Sequence, residues 1–275
     1  MSKRITPPGE YTSGIEGPAV DASGNLYVVN FRQSGHIGKV APGAAQSQLF
    51  TALPAGSIGN GIRFDRDGRM YIADFKKHNV FVIERGETAP KVYFHSNLFH
   101  QPNDLAIAAD GTLYASDPLF SAKSGQIWRI TRGADGQGHG EPMSSTRPFG
   151  ITNGIDLSPD GATLYVSESN LRPQLWAYRI DGTKLLDPKL IREFADFEAD
   201  GLRTDVDGRI FLARPSAGKI AIVSADGSLV REVVTLGKEP TNLTFGGSDG
   251  KTVFVTQKDG RFIEAFRTDR PGREH

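Results

Sequence analysis

Along this chain apolar and polar residues alternate in short runs, and the runs come in pairs. Ile62 with Phe64, Leu105 with Ile107 and Ile155 with Leu157 keep a period of two, the signature of a half-buried strand. An Asp-Gly or Ser-Gly pair follows each run and supplies the positive φ of a tight turn. A second apolar run returns from it: Leu26-Tyr27-Val28-Val29, Met70-Tyr71-Ile72-Ala73 or Phe211-Leu212-Ala213. Further strand-like runs lie between these hairpins, such as 79–83 with 91–94, and 126–130, 175–180 and 219–223. No stretch has the 3.6-residue period of a long amphipathic helix.

The hairpins are copies of one unit. Glu16 opens the first, Asn60 the second, Asn103 the third (NDLAIAADGTLY), Asn153 the fourth, Asp200 the fifth and Thr241 the sixth. The opening polar residue stands eight positions before the turn glycine (Gly24, Gly68, Gly111, Gly161, Gly208) in five copies, and nine before Gly250 in the last. Units of four strands recurring about every 45 residues match the blade of a β-propeller. The expectation is an all-β chain, a six-bladed β-propeller with four-stranded antiparallel blades around a central channel, occupying residues 1–275 as one domain. Residues 1–15 are expected to close the ring by adding a strand to the last blade. An open β-sandwich array is the weaker rival.

Composition narrows the function classes. With 32 Lys and Arg against 32 Asp and Glu the formal charge is zero, which disfavours nucleic-acid and membrane-surface partners. There is no cysteine, so disulfides, thiolate nucleophiles and Cys-ligated metals are excluded. No apolar run follows Met1–Glu10, and none approaches the ~18 residues of a spanning helix. A cytoplasmic monomer acting on a small molecule is the resulting expectation.

In a propeller the first strand of each blade lines the channel, so the six opening residues stand around the axis at one end. Glu16, Asn60, Asn103, Asn153, Asp200 and Thr241 all carry oxygen. Any one alone reads as a turn residue; the ring of six suits a hard cation. Calcium accepts carboxylate and amide oxygens, and Glu16 with Asp200 would balance a divalent charge. Zinc is disfavoured at positions without His or Cys. The second strand ends at the same face, at Asn30, Asp74, Asp117, Glu168, Arg214 and Gln257, which are expected to form an outer polar shell above the metal. The six histidines show no ligand spacing, and no hydrolase or nucleotide-binding motif occurs.

The segments Gly14-Ile15-Glu16-Gly17-Pro18, Pro102-Asn103-Asp104, Tyr114-Ala115-Ser116-Asp117-Pro118, Thr152-Asn153-Gly154-Ile155-Asp156, Asp200-Gly201-Leu202 and Thr241-Asn242-Leu243-Thr244-Phe245 carry a resemblance over nearly the whole chain. They resemble the senescence marker protein, gluconolactonase and luciferin-regenerating enzyme family of calcium-dependent six-bladed propellers. The resemblance implies that Glu16, Asn153 and Asp200 hold the metal, with Asn103 as a further ligand or substrate contact. It also gives Asp200 the catalytic role. The animal members carry Arg where this chain has Gln101, so their contact does not transfer, and Asn60 has no family role to inherit.

The implied activity is calcium-dependent hydrolysis of a sugar lactone, an aldonolactone or an acidic sugar lactone, or of a related small lactone. Magnesium, manganese or zinc are alternative metals. Gln101, Asn103 and Asn60 are candidate substrate contacts, and Asp117, Glu168 and Arg214 are candidates for reading substrate hydroxyls or a carboxylate. Two other readings stay open: phosphotriester or fluorophosphate hydrolysis at the same site, and a non-enzymatic binding platform with a structural ion.

Overall fold

The structure is a computed structural model describing residues 2–274. Their strands form six sheets, one per repeat. The innermost strands are Tyr11–Val20, Gly59–Phe64, Leu105–Ile107, Thr152–Leu157, Leu202–Thr204 and Pro240–Gly246. Each contacts its two neighbours, and the last contacts the first, so they ring a common axis. This is the six-bladed β-propeller expected from the repeat. One 3₁₀ turn, Phe120–Ala122, is the one helical element among the described residues, and none of their helices is long and apolar enough to cross a membrane.

The six hairpin turns form as predicted. Gly24, Gly68, Gly111, Gly161, Gly208 and Gly250 all have positive φ, and each donates its N–H to the carbonyl three residues back. These turns mark one end of the channel. Loops from second to third strands, and the connections into each following blade, gather at the other end, the mouth. The sixth blade has three strands from the C-terminal part of the chain. Its fourth is Lys3–Arg4, paired antiparallel with Phe262–Arg267 in the register Lys3↔Ala265, Arg4↔Glu264. The fourth blade gains a short fifth strand, Ser144–Ser145, parallel to its outermost strand.

Alternation along each strand sends side chains into the two seams beside its blade, and six apolar clusters fill the six seams. Trp128, 1% exposed, joins blades two and three by packing on Phe99 at 4.5 Å between ring centroids. Near the axis the blades approach too closely for side chains. A Cβ on Gly17 would lie 1.7 Å from the Asn60 carbonyl oxygen, and one on Gly201 2.1 Å from Asn242 Cγ. Glycine after the opening residue is thus a packing requirement in blades one and five.

Candidate active site

Local irregularities aim the opening residues at the axis. The pairing of first and second strands slips between Glu16 and Ala19, Gly59 and Ile62, Thr152 and Ile155, and Pro240 and Leu243. Such bulges twist a strand and redirect the side chains within them. Asn60, Asn153 and Thr241 sit inside these slips, and Glu16 borders one. Asn103 and Asp200 reach the same level just before their strands begin; their N–H groups bond Ser116 and Ala213 carbonyls.

The structure brings Glu16, Asn153 and Asp200 together. One Glu16 carboxylate oxygen accepts the Gly17 N–H at 2.8 Å and the Asn242 amide at 2.9 Å. Burial is the main cause that raises both Glu16 and Asp200 above ordinary carboxylate values. For Asp200 the charges of Glu16, Glu198 and Asp104 add to that rise, and Asn153 opposes it. Asn153 Nδ2 donates to Ser169 Oγ at 3.1 Å, which fixes its amide, while its Oδ1 is buried without a partner. Asn60 Oδ1 is likewise buried and unpartnered, whereas the Thr241 hydroxyl is spent on the Ile15 carbonyl and Thr256.

An orphaned amide oxygen beside two carboxylates that repel each other is a donor set short of a cation. The residues fit a hard divalent ion, because every donor is oxygen and a 6–8-coordinate calcium would leave places for water or substrate. Among the described residues no group of three or more His, Cys, Asp and Glu is set to hold a metal, so the fit depends on the amides.

Beneath this layer lies a buried network that reading the repeat alone missed. Asp104, 0% exposed, meets Arg63 at 3.1 Å and Arg203 at 2.9 Å, with Asn242 Nδ2 3.4 Å away. Burial pushes the Asp104 carboxyl up to about 7, against the pull of Arg63 and with the Glu16 charge adding to the rise. Its signal was present in the sequence, as a charged residue interrupting an apolar first strand in Ile62-Arg63-Phe64 and Leu202-Arg203-Thr204. Still deeper, Arg273 from the C-terminal segment bonds Asp156 at 2.6 Å and the Ile107 carbonyl at 3.3 Å. Its neighbour Glu274 comes within 3.9 Å of Arg63. The floor of the channel is therefore occupied by side chains, and access is from the mouth.

The outer polar shell needs correction. Asp117 is fully buried and accepts the N–H groups of His100 and Gln101, the Gln126 amide and the Trp128 indole. Glu168 is clamped by both nitrogens of Arg147 and takes the Gly150 N–H. Arg214 donates to the carbonyls of Asp196 and Glu198 and stacks on Phe194. The carboxylate oxygens of Asp117 and Glu168 are taken up inside the fold, and Arg214 spends its Nε and one terminal nitrogen on loop carbonyls. They share another role, since each fastens backbone two or three residues before a channel residue: Gln101 before Asn103, Gly150 before Asn153, Glu198 before Asp200. Asp74 does the same for Ile58 and Asn30 for Gly14. Their polarity was legible; their partners were not, because those lie in loops with no repeat. Gln101 and Asn103 stay half-buried at the mouth.

The sequence pattern of the SMP-30/Gluconolactonase/LRE-like family matches residues 14–259, which is most of the chain. The chain belongs to this family. It is 25% identical to a gluconolactonase of Zymomonas mobilis, across 88% of this chain and 75% of that protein. It is also 25% identical to the diisopropyl-fluorophosphatase of Loligo vulgaris, across 95% and 91%. Among solved structures, the calcium-binding protein regucalcin of Agrobacterium tumefaciens superposes with a TM-score of 0.76 at 19% identity, covering 99% of this chain and 97% of that one. That likeness concerns the fold. The family match spans all six opening residues, so the ring of donors described above lies wholly within it.

The raised carboxyls link stability to pH. A carboxyl raised on folding holds its proton more tightly in the folded state. Its contribution is complete below the ordinary range near ~4 and is lost as pH climbs through the folded value, about 7 for Asp104. Glu16 and Asp200 act in the same direction. A divalent cation held there would offset the repulsion that remains. The gap in melting temperature between calcium-loaded and chelator-treated protein should therefore widen from about pH 5 to about pH 8. A gap that is constant or narrows would refute this linkage.

Proposed function

We propose that this protein is a lactonase that uses a divalent cation, calcium for preference, held by Glu16, Asn153 and Asp200 with Asn103 beside them. The observation that carries this reading is the pair of raised carboxyls next to the unpartnered Asn153 oxygen at the mouth of a floored channel. The gluconolactonase relative supports the ester-like electrophile. When bound, the cation would supply Lewis-acid stabilisation of charge developing on the carbonyl oxygen.

The chain's own residues do the rest. Asp200, which burial and then the charges of Glu16, Glu198 and Asp104 raise above the ordinary carboxylate range in the metal-free protein, takes the proton of the attacking water. Attack by Asp200 itself, giving an acyl intermediate, is the alternative course. Asn242 holds Glu16 from below, and Ser169 holds Asn153, so both ligands are fixed before substrate arrives. Gln101, Asn103 and Asn60, around the opening, are the contacts proposed for substrate polar atoms.

Acid release from a panel of lactones, with calcium-loaded and chelator-treated protein side by side, tests the reading. Release that requires the cation is the expected result, and silence across the panel with calcium confirmed bound would overturn it. The squid relative favours a second electrophile, a phosphotriester or fluorophosphate. Hydrolysis of that class in ¹⁸O-water, with label appearing first in Asp200, would select it.

A further inference from the structure

The two ends of the channel differ in their apolar exposure. Among the described residues five large apolar side chains stand exposed on loops at the mouth end: Leu98, Phe120, Leu171, Phe197 and Leu236. The hairpin-turn end has one, Val206, and the other exposed apolar residues lie on outermost strands. The exposed apolar groups outside the outermost strands are thus gathered toward the mouth rather than spread over both ends. Two strand-end carboxylates that would have read sugar hydroxyls there, Asp117 and Glu168, are buried with their oxygens bonded inside the fold.

Phe197 is the best-defined member of this rim. It is 50% exposed, stands three residues before Asp200, and has a φ of 57°, a left-handed conformation that is strained for a bulky residue. Two bonds hold it there. Arg214 Nε donates to the Glu198 carbonyl at 2.7 Å, and the Arg214 terminal nitrogen donates to the Asp196 carbonyl. The clamp thus grips the carbonyls on both sides of Phe197 from within, and leaves its ring outside. The loop leads directly into the channel ring, since Asp200 follows it and anchors its N–H on the Ala213 carbonyl. An exposed ring held at a conformational cost by a buried guanidinium is preorganised for contact.

We propose that Phe197, presented by Arg214, is the centre of an apolar rim with Phe120 and Leu171 that binds an alkyl substituent of the substrate. This rests on the lactonase reading and gives it a substrate class: lactones bearing a hydrocarbon chain are processed better than polyhydroxylated ones. The chain lies on the rim while the ring carbonyl enters the channel between Glu16 and Asp200.

The test is kcat/KM along a γ-lactone series from γ-butyrolactone to γ-nonalactone, with glucono-δ-lactone alongside. Full burial of a methylene is worth about fourfold, so half-coverage on an open rim gives about twofold per added carbon. Phe197→Ser should flatten that dependence, Arg214→Lys should weaken it, and Val206→Ser at the opposite end should leave it intact. A flat series, preference for glucono-δ-lactone over every alkyl lactone, or a dependence that Phe197→Ser does not change would each overturn the proposal while sparing the lactonase reading. Should no lactone be turned over, calorimetric binding of 3-alkylcyclopentanones, which keep ring and carbonyl without the ester bond, still decides. Affinity that rises with chain length in the wild type and not in Phe197→Ser upholds the rim, and any other outcome removes it.

Discussion

Replacing Asp200 by Asn is expected to cut cation-dependent lactone hydrolysis by about 10²–10⁴-fold, the range over which a positioned acid–base group acts. The same change should raise the melting temperature of the chelator-treated protein. The two effects have one cause. Asp200 is buried close to Glu16 and feels Glu198 and Asp104 as well, so its charge is held in the fold against burial and against like charges. An amide of the same shape removes the repulsion and keeps an oxygen toward Asn153, but it can neither accept a proton nor balance a divalent ion. Melting curves with and without calcium, beside initial rates, check both halves. A variant that loses activity and stability together would show Asp200 to be a structural residue.

The second large effect lies below the candidate metal layer. Asp104→Asn should destabilise the protein by about 3–5 kcal/mol, because Arg203 is left buried without its carboxylate and Arg63 with only the more distant Glu274. In a chain of this size that is a fall in melting temperature of order 10 °C. Replacing the whole group, as Arg63→Met with Asp104→Leu and Arg203→Met, should recover most of the loss, since buried ion pairs exchanged for packed apolar groups are close to neutral. Denaturant unfolding of the single and triple variants measures this. A triple variant no better than Asp104→Asn would mean that the network contributes far more than its charge balance.

The repeat made the blades legible. Opening residue, turn glycine and returning strand recur with nearly fixed spacing, and each piece is local enough for a dozen residues to specify it. Closure by the first residues was expected too, and Lys3–Arg4 supplies it by pairing with Phe262–Arg267. Glu16, Asn153 and Asp200 could be read because they occupy one position of the repeat. Asp104 with Arg63 and Arg203 was not, since its partners sit in blades two and five, 41 and 99 residues away. Asp117, Glu168 and Arg214 had the polarity expected of a substrate shell, yet burial decides their role. Whether a strand-end carboxylate faces solvent or takes a loop N–H depends on loop backbone that no repeat constrains.

The closing strand ties folding to the order of synthesis. Lys3 and Arg4 leave the ribosome long before their partners Ala265 and Glu264. Until Phe262–Arg267 exists, Lys3–Arg4 has no partner, and the strand Thr252–Gln257 presents unpaired backbone along an open edge. The entropic cost of joining such distant segments rises only logarithmically with the intervening length, so the joint is thermodynamically cheap but late. A stalled or truncated nascent chain would carry five competent blades and one exposed edge, the geometry that invites pairing with another chain. The feature that seals the finished ring is therefore also the point at which an unfinished one is most open to aggregation.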